Sequence, residues 1–392
     1  MRKRKYNLIQ RIFIKANSVL YTLAGKLVDK TGTQQKFPYE IKGHFGDVTE
    51  VTHEYPQNFL PEHKALFDEW KWYETFPHDL FFVKNVLLTS DGIVLKKHRT
   101  FIRTLPHPVF RFQFGVLYNL KARLFYRRFK IDPSKNYLLL FDNWSWNNYF
   151  HWIIDALCRA ELLRENVKMN FTILLPEASP KYLTETLKLY GYTDIVYLPR
   201  RAKTEIPFLY SMNYAAWSGQ QHPVILKAMV DFVKGNVYGS ARTTEAQTIP
   251  GGVYTANGGV RTTGRKRIYV SRAKQFSRRV ENEKELLTVL EKYGFETVYF
   301  EGMTVADQVR TMSEASFFVS SHGANMTNLA WLPQGAKILE LLNDRKPNFC
   351  YWSVASCLGH AYYYQLCPIT AADHVLVNIE TFEKNLQDLL GC

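Results

Sequence analysis

Apolar and polar positions fall into a regular rhythm from Asn136 onward. Short apolar runs at Tyr137 to Phe141, Phe171 to Leu175 and Ile195 to Leu198 read as strands. Between and after them, Asn148 to Leu163, Pro180 to Tyr190 and Pro223 to Val237 carry helical spacing, the second with proline at its start. The rhythm breaks over 239–264, a stretch rich in Gly, Thr and Ala that suits a linker. It then resumes. Arg267 to Val270, Thr297 to Phe300, Phe317 to Ser320, Lys337 to Leu342 and Tyr362 to Leu366 read as strands. Helices are expected over Glu283 to Tyr293, Thr304 (an N-cap) to Ser313, from about Asn325, Phe349 to Cys357 and Glu380 to Leu390. Strands alternating with helices predict βαβ units and parallel sheets, hence an α/β protein with two Rossmann-like domains. The boundary is placed near residue 245, giving 1–245 and 246–392, with the last helix free to pack back on the first domain.

The first third resists this reading. Residues 28–135 show β-like runs at Leu80 to Leu88 and Ile93 to Lys97, but no motif and no repeat. The start of the chain, with Arg2, Lys3, Arg4, Lys5, Arg11, Lys15 and Lys26 among apolar residues at helical spacing, fits a basic amphipathic helix. Such a helix either packs on the domain or lies on an anionic membrane. Arg11 and Lys15 interrupt what would otherwise be a signal peptide or spanning helix. The expected location is cytoplasmic, peripheral at the inner face of the membrane.

Composition narrows the partners. The 392 residues suffice for two cores. A net charge of +14 calls for an anionic partner: nucleic acid, an acidic membrane or a phosphorylated substrate. No helix-turn-helix, zinc finger or RNP motif supports nucleic acid. Five cysteines without a C-x-x-C pair argue against a zinc site and against a disulfide framework.

Ligands of open parallel sheets bind at the C-terminal ends of the strands, so the chemistry is sought there. Ser320-Ser321-His322-Gly323-Ala324-Asn325-Met326-Thr327-Asn328 leaves a strand and opens a helix. Small residues at 323 and 324 let a ligand approach backbone N–H groups, an arrangement suited to phosphate. Arg272 follows another strand, with Arg278 and Arg279 close behind. Glu340 lies inside an apolar strand, where a carboxylate requires a partner such as a ribose diol or a salt bridge. In the first half, His151 and Asp155 share a helix face and suit a general base with its partner. Asn148, Trp144, Trp146 and Trp152 surround them as acceptor-lining candidates.

Taken in order, Asn148-Tyr149-Phe150-His151-Trp152…Asp155, Val270-Ser271-Arg272 with Arg278-Arg279…Asn282-Glu283, and His322-Gly323-Ala324…Thr327-Asn328 followed by Glu340 resemble glycosyltransferase family 61. The resemblance covers about residues 136–345 and is of the surface-polysaccharide type. It implies a GT-B fold, two Rossmann-like domains facing across a cleft, and inverting transfer from a nucleotide sugar without an essential metal or cofactor. In this chain it assigns the diphosphate to Arg272 and the backbone after His322, assisted by Arg278 or Arg279, and the ribose to Glu340. No D-x-D motif for a metal is found. UDP is the expected nucleotide, a glycan or lipid-linked glycan the acceptor, and Asp155 the favoured base over His151. The alternatives are a polysaccharide-modifying pyruvyl transferase, a sugar-nucleotide-binding protein without catalysis, and a nucleic-acid-binding protein.

Overall fold

The computed structural model describes residues 37–106, 110–239, 252–254, 260–262, 266–370 and 373–392. The basic start of the chain and most of the 239–264 stretch lie outside the described residues.

The strands form two main sheets. The first has nine strands, with the path Ile195–Leu198, Thr172–Pro176, Tyr137–Leu139, Ala202–Met212, Asp79–Thr89, Val94–Lys96, Arg99–Thr100. Glu40–His44 also pairs with Asp79–Thr89, and Arg127–Arg128 with Ala202–Met212. The first four strands of the path are parallel, but the Asp79–Thr89 side is antiparallel. The expected parallel sheet is therefore only half right here. Asp79–Thr89 is apolar on both faces and buried except at Lys84 and Asn85, which fits a central strand.

The second sheet holds five strands, all parallel, in the spatial order Glu296–Val298, Lys266–Val270, Ala315–Ser321, Lys337–Asn343, Ala361–Cys367. In chain order this is 2-1-3-4-5, a doubly wound arrangement whose switch point lies between Lys266–Val270 and Ala315–Ser321. Its two faces bury different cores. Val270, Phe318, Ile338 and Tyr362 join one large core shared with the first sheet. Tyr269, Val319, Leu339 and Tyr363 pack with Leu286, Leu290, Phe382, Leu386 and Leu389 on the other. The closing helix, Ile379–Leu390, thus belongs to the second sheet and does not return to the first.

Segment 53–67 reaches across to the second sheet. His53 bonds Ser353 and Ser356, the Gln57 N–H donates to the Tyr362 carbonyl, and Phe67 packs on Phe349, Trp352 and Tyr364. Among the described residues, no helix is long and apolar enough to cross a membrane.

Candidate active site

Val270 and Ser320 are register partners at the ends of the switch-point strands, and Arg272 and His322 lie just beyond them. Arg272 is 7% exposed. Its Nε donates to the Arg278 carbonyl at 3.2 Å and its Nη2 to the Ser277 carbonyl at 3.3 Å. Among the described residues no carboxylate lies within ion-pair distance of it. Burial, with the like charge of Arg278, lowers its pKa. The guanidinium lies against bare backbone: a Cβ on Gly323 would sit 2.4 Å from Nη1 and 2.5 Å from Cζ. Residue 323 is glycine because the arginine occupies the space a side chain would need.

His322 is fixed from below. Its Nδ1 lies 2.6 Å from Glu340 Oε1, while the Tyr362 hydroxyl donates to Oε2 at 2.6 Å. Glu340 is completely buried and both its oxygens are engaged. In this structure it presents no free oxygen to a ribose, and it holds the His322 ring by Nδ1. The segment after Gly323 is a tight 3₁₀ helix, Ala324–Trp331, in place of the expected α-helix. Thr327 and Asn328 are buried within it, and the Asn325 side-chain nitrogen is buried without a hydrogen-bond partner. Arg278 is exposed and holds a left-handed backbone with φ 59°. Arg279 gives its Nε to the Gln275 carbonyl.

The first sheet supplies the opposing residues. Asp142 is buried at the end of the Tyr137 strand and accepts from the Trp144 N–H at 2.7 Å, from Ser145 and from Tyr214. That turn lays Trp144 over the His151 ring, centroids 4.7 Å apart. The Asn148 side chain accepts from the Phe150 N–H at 3.0 Å and starts the helix. The first turn, His151–Ala156, is widened: the Leu157 N–H reaches back five residues to the Trp152 carbonyl. Such π turns recur at functional sites. Here the turn points both polar side chains the same way. His151 Nδ1 lies 2.9 Å from Asp155 Oδ2. Ser218 Oγ donates to the same oxygen at 2.6 Å and lies 2.9 Å from Nδ1. Trp146 is half-buried against the core. Trp152 corrects the sequence expectation: it is fully buried and donates its indole N–H to Thr186, so it lines no pocket.

Tyr351 joins the halves. Its hydroxyl donates to the Gly323 carbonyl at 2.7 Å, and its ring meets Phe150 and His322 edge-on, each at 5.2 Å. The Tyr149 hydroxyl donates to Asn328 across the same junction. The His–Asp pair and the arginine–glycine contact therefore face one junction. Sequence reasoning missed Ser218, Tyr351 and Tyr362. Ser218 was findable, since it lies in a polar loop that leaves the Ala202–Met212 strand for a helix; the tyrosines carry no such signal. Among the described residues no group of three His, Cys, Asp or Glu side chains is placed to hold a metal.

A family model described as Glycosyltransferase 61 matches residues 149–339. Two curated relatives align over shorter stretches. An EGF domain-specific O-linked N-acetylglucosamine transferase of Drosophila melanogaster is 37% identical over 97 residues, covering 24% of this chain and 18% of the relative. A human protein O-linked-mannose beta-1,4-N-acetylglucosaminyltransferase 2 is 43% identical over 68 residues, covering 17% and 12%. The chain thus spans less than a fifth of either relative. Both names describe transfer of N-acetylglucosamine, and neither supports the expected link to surface polysaccharide. Residues 149–339, just under half of the chain, are thus similar to glycosyltransferase family 61.

Proposed function

We propose that this chain transfers N-acetylglucosamine from a UDP-linked donor to a hydroxyl of a protein or protein-bound glycan, inverting the anomeric carbon and needing no metal. In this reading the two sheets are the halves of a GT-B arrangement, divided near residue 245. The donor sits on the second and the acceptor on the first, lined by Trp144, Trp146 and Asn148. The observation that carries it is Arg272, a buried cation with no carboxylate partner among the described residues, lying on the bare backbone of Gly323 at a strand switch point.

The chemistry divides between the halves. Breaking the bond from sugar to diphosphate leaves a developing negative charge on the phosphate oxygen. Arg272 and Arg278 neutralise it, and a preorganised cation needs no reorganisation at that moment. His322, held by Glu340, points a fixed imidazole at the same region. The acceptor oxygen forms the new bond to the anomeric carbon, and its proton must leave. His151 is the better base: Asp155 is buried and shared with Ser218, holding Nδ1 and leaving Nε2 to take the proton. Asp155 then stabilises the imidazolium.

Thermal unfolding with UDP, GDP, CDP and CMP, each with and without EDTA, tests the donor side. A diphosphate that binds only the folded chain raises its midpoint. A shift with UDP that EDTA leaves intact supports the proposal. No shift with any nucleotide sinks the diphosphate site and revives the pyruvyl-transfer reading.

A further inference from the structure

The helix Val116–Phe125 carries no residue of the site, yet it turns an apolar face to solvent. Val116, Leu117, Leu120 and Leu124 are 39, 43, 53 and 65% exposed, and Phe125 at its end is 73% exposed. At about 100° per residue the first four fall within an arc of roughly 100°. The opposite side, Tyr118, Asn119 and Ala122, is buried. Lys121 and Arg123 border the stripe, one on each side.

Cations continue around it. Arg127, Arg128 and Lys130 follow the helix and are exposed, as are Arg200 and Arg201 on the adjoining turn, where the Arg127 N–H meets the Arg201 carbonyl at 2.9 Å. Lys97 and His98 are exposed on the neighbouring hairpin, and Arg123 donates to the Lys97 carbonyl. Asp91, beneath the helix, is held by the hydroxyls of Tyr118 and Tyr126 at 2.6 and 2.5 Å. Burial and the like charges of Arg128 and Arg123 lower the pKa of Lys203, which closes the helix end.

A second copy of the chain would set these cations against one another. A narrow stripe on a single helix, ringed by Arg and Lys, instead matches what lies flat in a bilayer interface, with apolar residues at the acyl boundary and cations on lipid phosphates. We infer that the Val116–Phe125 helix docks this protein on an anionic membrane surface. The helix packs its buried side into a small core with Leu87, Ile93, Leu95, Phe110 and Phe114, against which Trp144 also lies. Through Trp144, which also stacks on the His151 ring, this core links the docking helix to the first half of the site.

Flotation of the full chain with vesicles tests this. On phosphatidylcholine with added phosphatidylserine the chain is retained, less so as salt rises, and on phosphatidylcholine alone it is not. Leu120→Glu with Leu124→Glu lowers retention about tenfold or more, since two apolar anchors become charges of the wrong sign. Arg127→Glu with Arg128→Glu weakens it on the anionic vesicles. All four positions are exposed, so the unfolding midpoint stays put. No retention on anionic vesicles overturns the inference and leaves an acidic protein as the partner of this face. Equal retention by the Leu120/Leu124 variant also overturns it, by placing the contact elsewhere on the chain.

Discussion

The two sheets bring their halves of the site to opposite electrostatic states. On the first, the Asp155 carboxylate is already answered by His151 and Ser218. On the second, the Arg272 guanidinium is buried against Gly323, and among the described residues its hydrogen bonds go to the Ser277 and Arg278 carbonyls. A buried charge without a counter-ion costs several kcal/mol, and an anion that arrives recovers that cost. Under the proposed function, one half is complete by itself and moves a proton, while the other is completed by the diphosphate of the donor. The lesson is that ligand binding should read out on the second sheet and pH on the first.

The largest test is Arg272→Ala. Turnover should fall by about 10²–10³ and the nucleotide-induced rise in unfolding midpoint should vanish. The ligand-free chain should lose little stability, since loss of the hydrogen bonds to Ser277 and Arg278 is offset by removal of a buried charge that has no ion-pair partner among the described residues. Retained nucleotide binding would break the comparison at its centre. Next comes Asp155→Asn, with turnover lower by roughly 10²–10³ and the nucleotide shift unchanged; loss of both together would mean that the halves are not separate in function. Gly323→Ala should weaken UDP binding by about tenfold, near 1.4 kcal/mol, through displacement of the Arg272 guanidinium. An alanine variant with unaltered affinity, measured by calorimetry, would show that the close contact does not matter.

The smallest effect at neutral pH concerns stability. Burial holds His53 and His78 at a pKa of about 4 and His360 at about 3, against an ordinary 6.5. The folded pKa lies below the unfolded one. Stability from keeping these rings neutral is thus full above about pH 6.5 and is lost as pH falls toward 4. His53→Gln should flatten part of that decline in a pH series of unfolding midpoints; an unchanged slope would clear His53 of the role.

The placement of the candidate residues on the second sheet was legible because parallel βα units are local. Each strand announces the loop that follows it, and that rule reached Arg272, His322 and Gly323 directly. Glu340 was recognised as a carboxylate in need of a partner, but its partners, His322 and Tyr362, come from neighbouring strands and cannot be ranked against a ribose by spacing. In the first half the His151 and Asp155 spacing was visible, while the widened turn that aims them was not. The central strand Asp79–Thr89 pairs with Ala202–Met212 more than a hundred residues later, register that no local pattern encodes. Trp152 shows the converse limit: a tryptophan beside a candidate catalytic pair looks the same in sequence whether it lines a pocket or fills a core.

The 53–67 segment also sets an order of events during synthesis. His53 leaves the ribosome 303 residues ahead of Ser356, one of its two hydroxyl partners. Until then Phe67, buried in the finished protein, has none of its Phe349, Trp352 and Tyr364 contacts. Contacts so distant in sequence are slow to form. The nascent first sheet must therefore wait with an apolar strap uncovered, and a chaperone that shields residues 53–67 would be serving the second sheet before it exists.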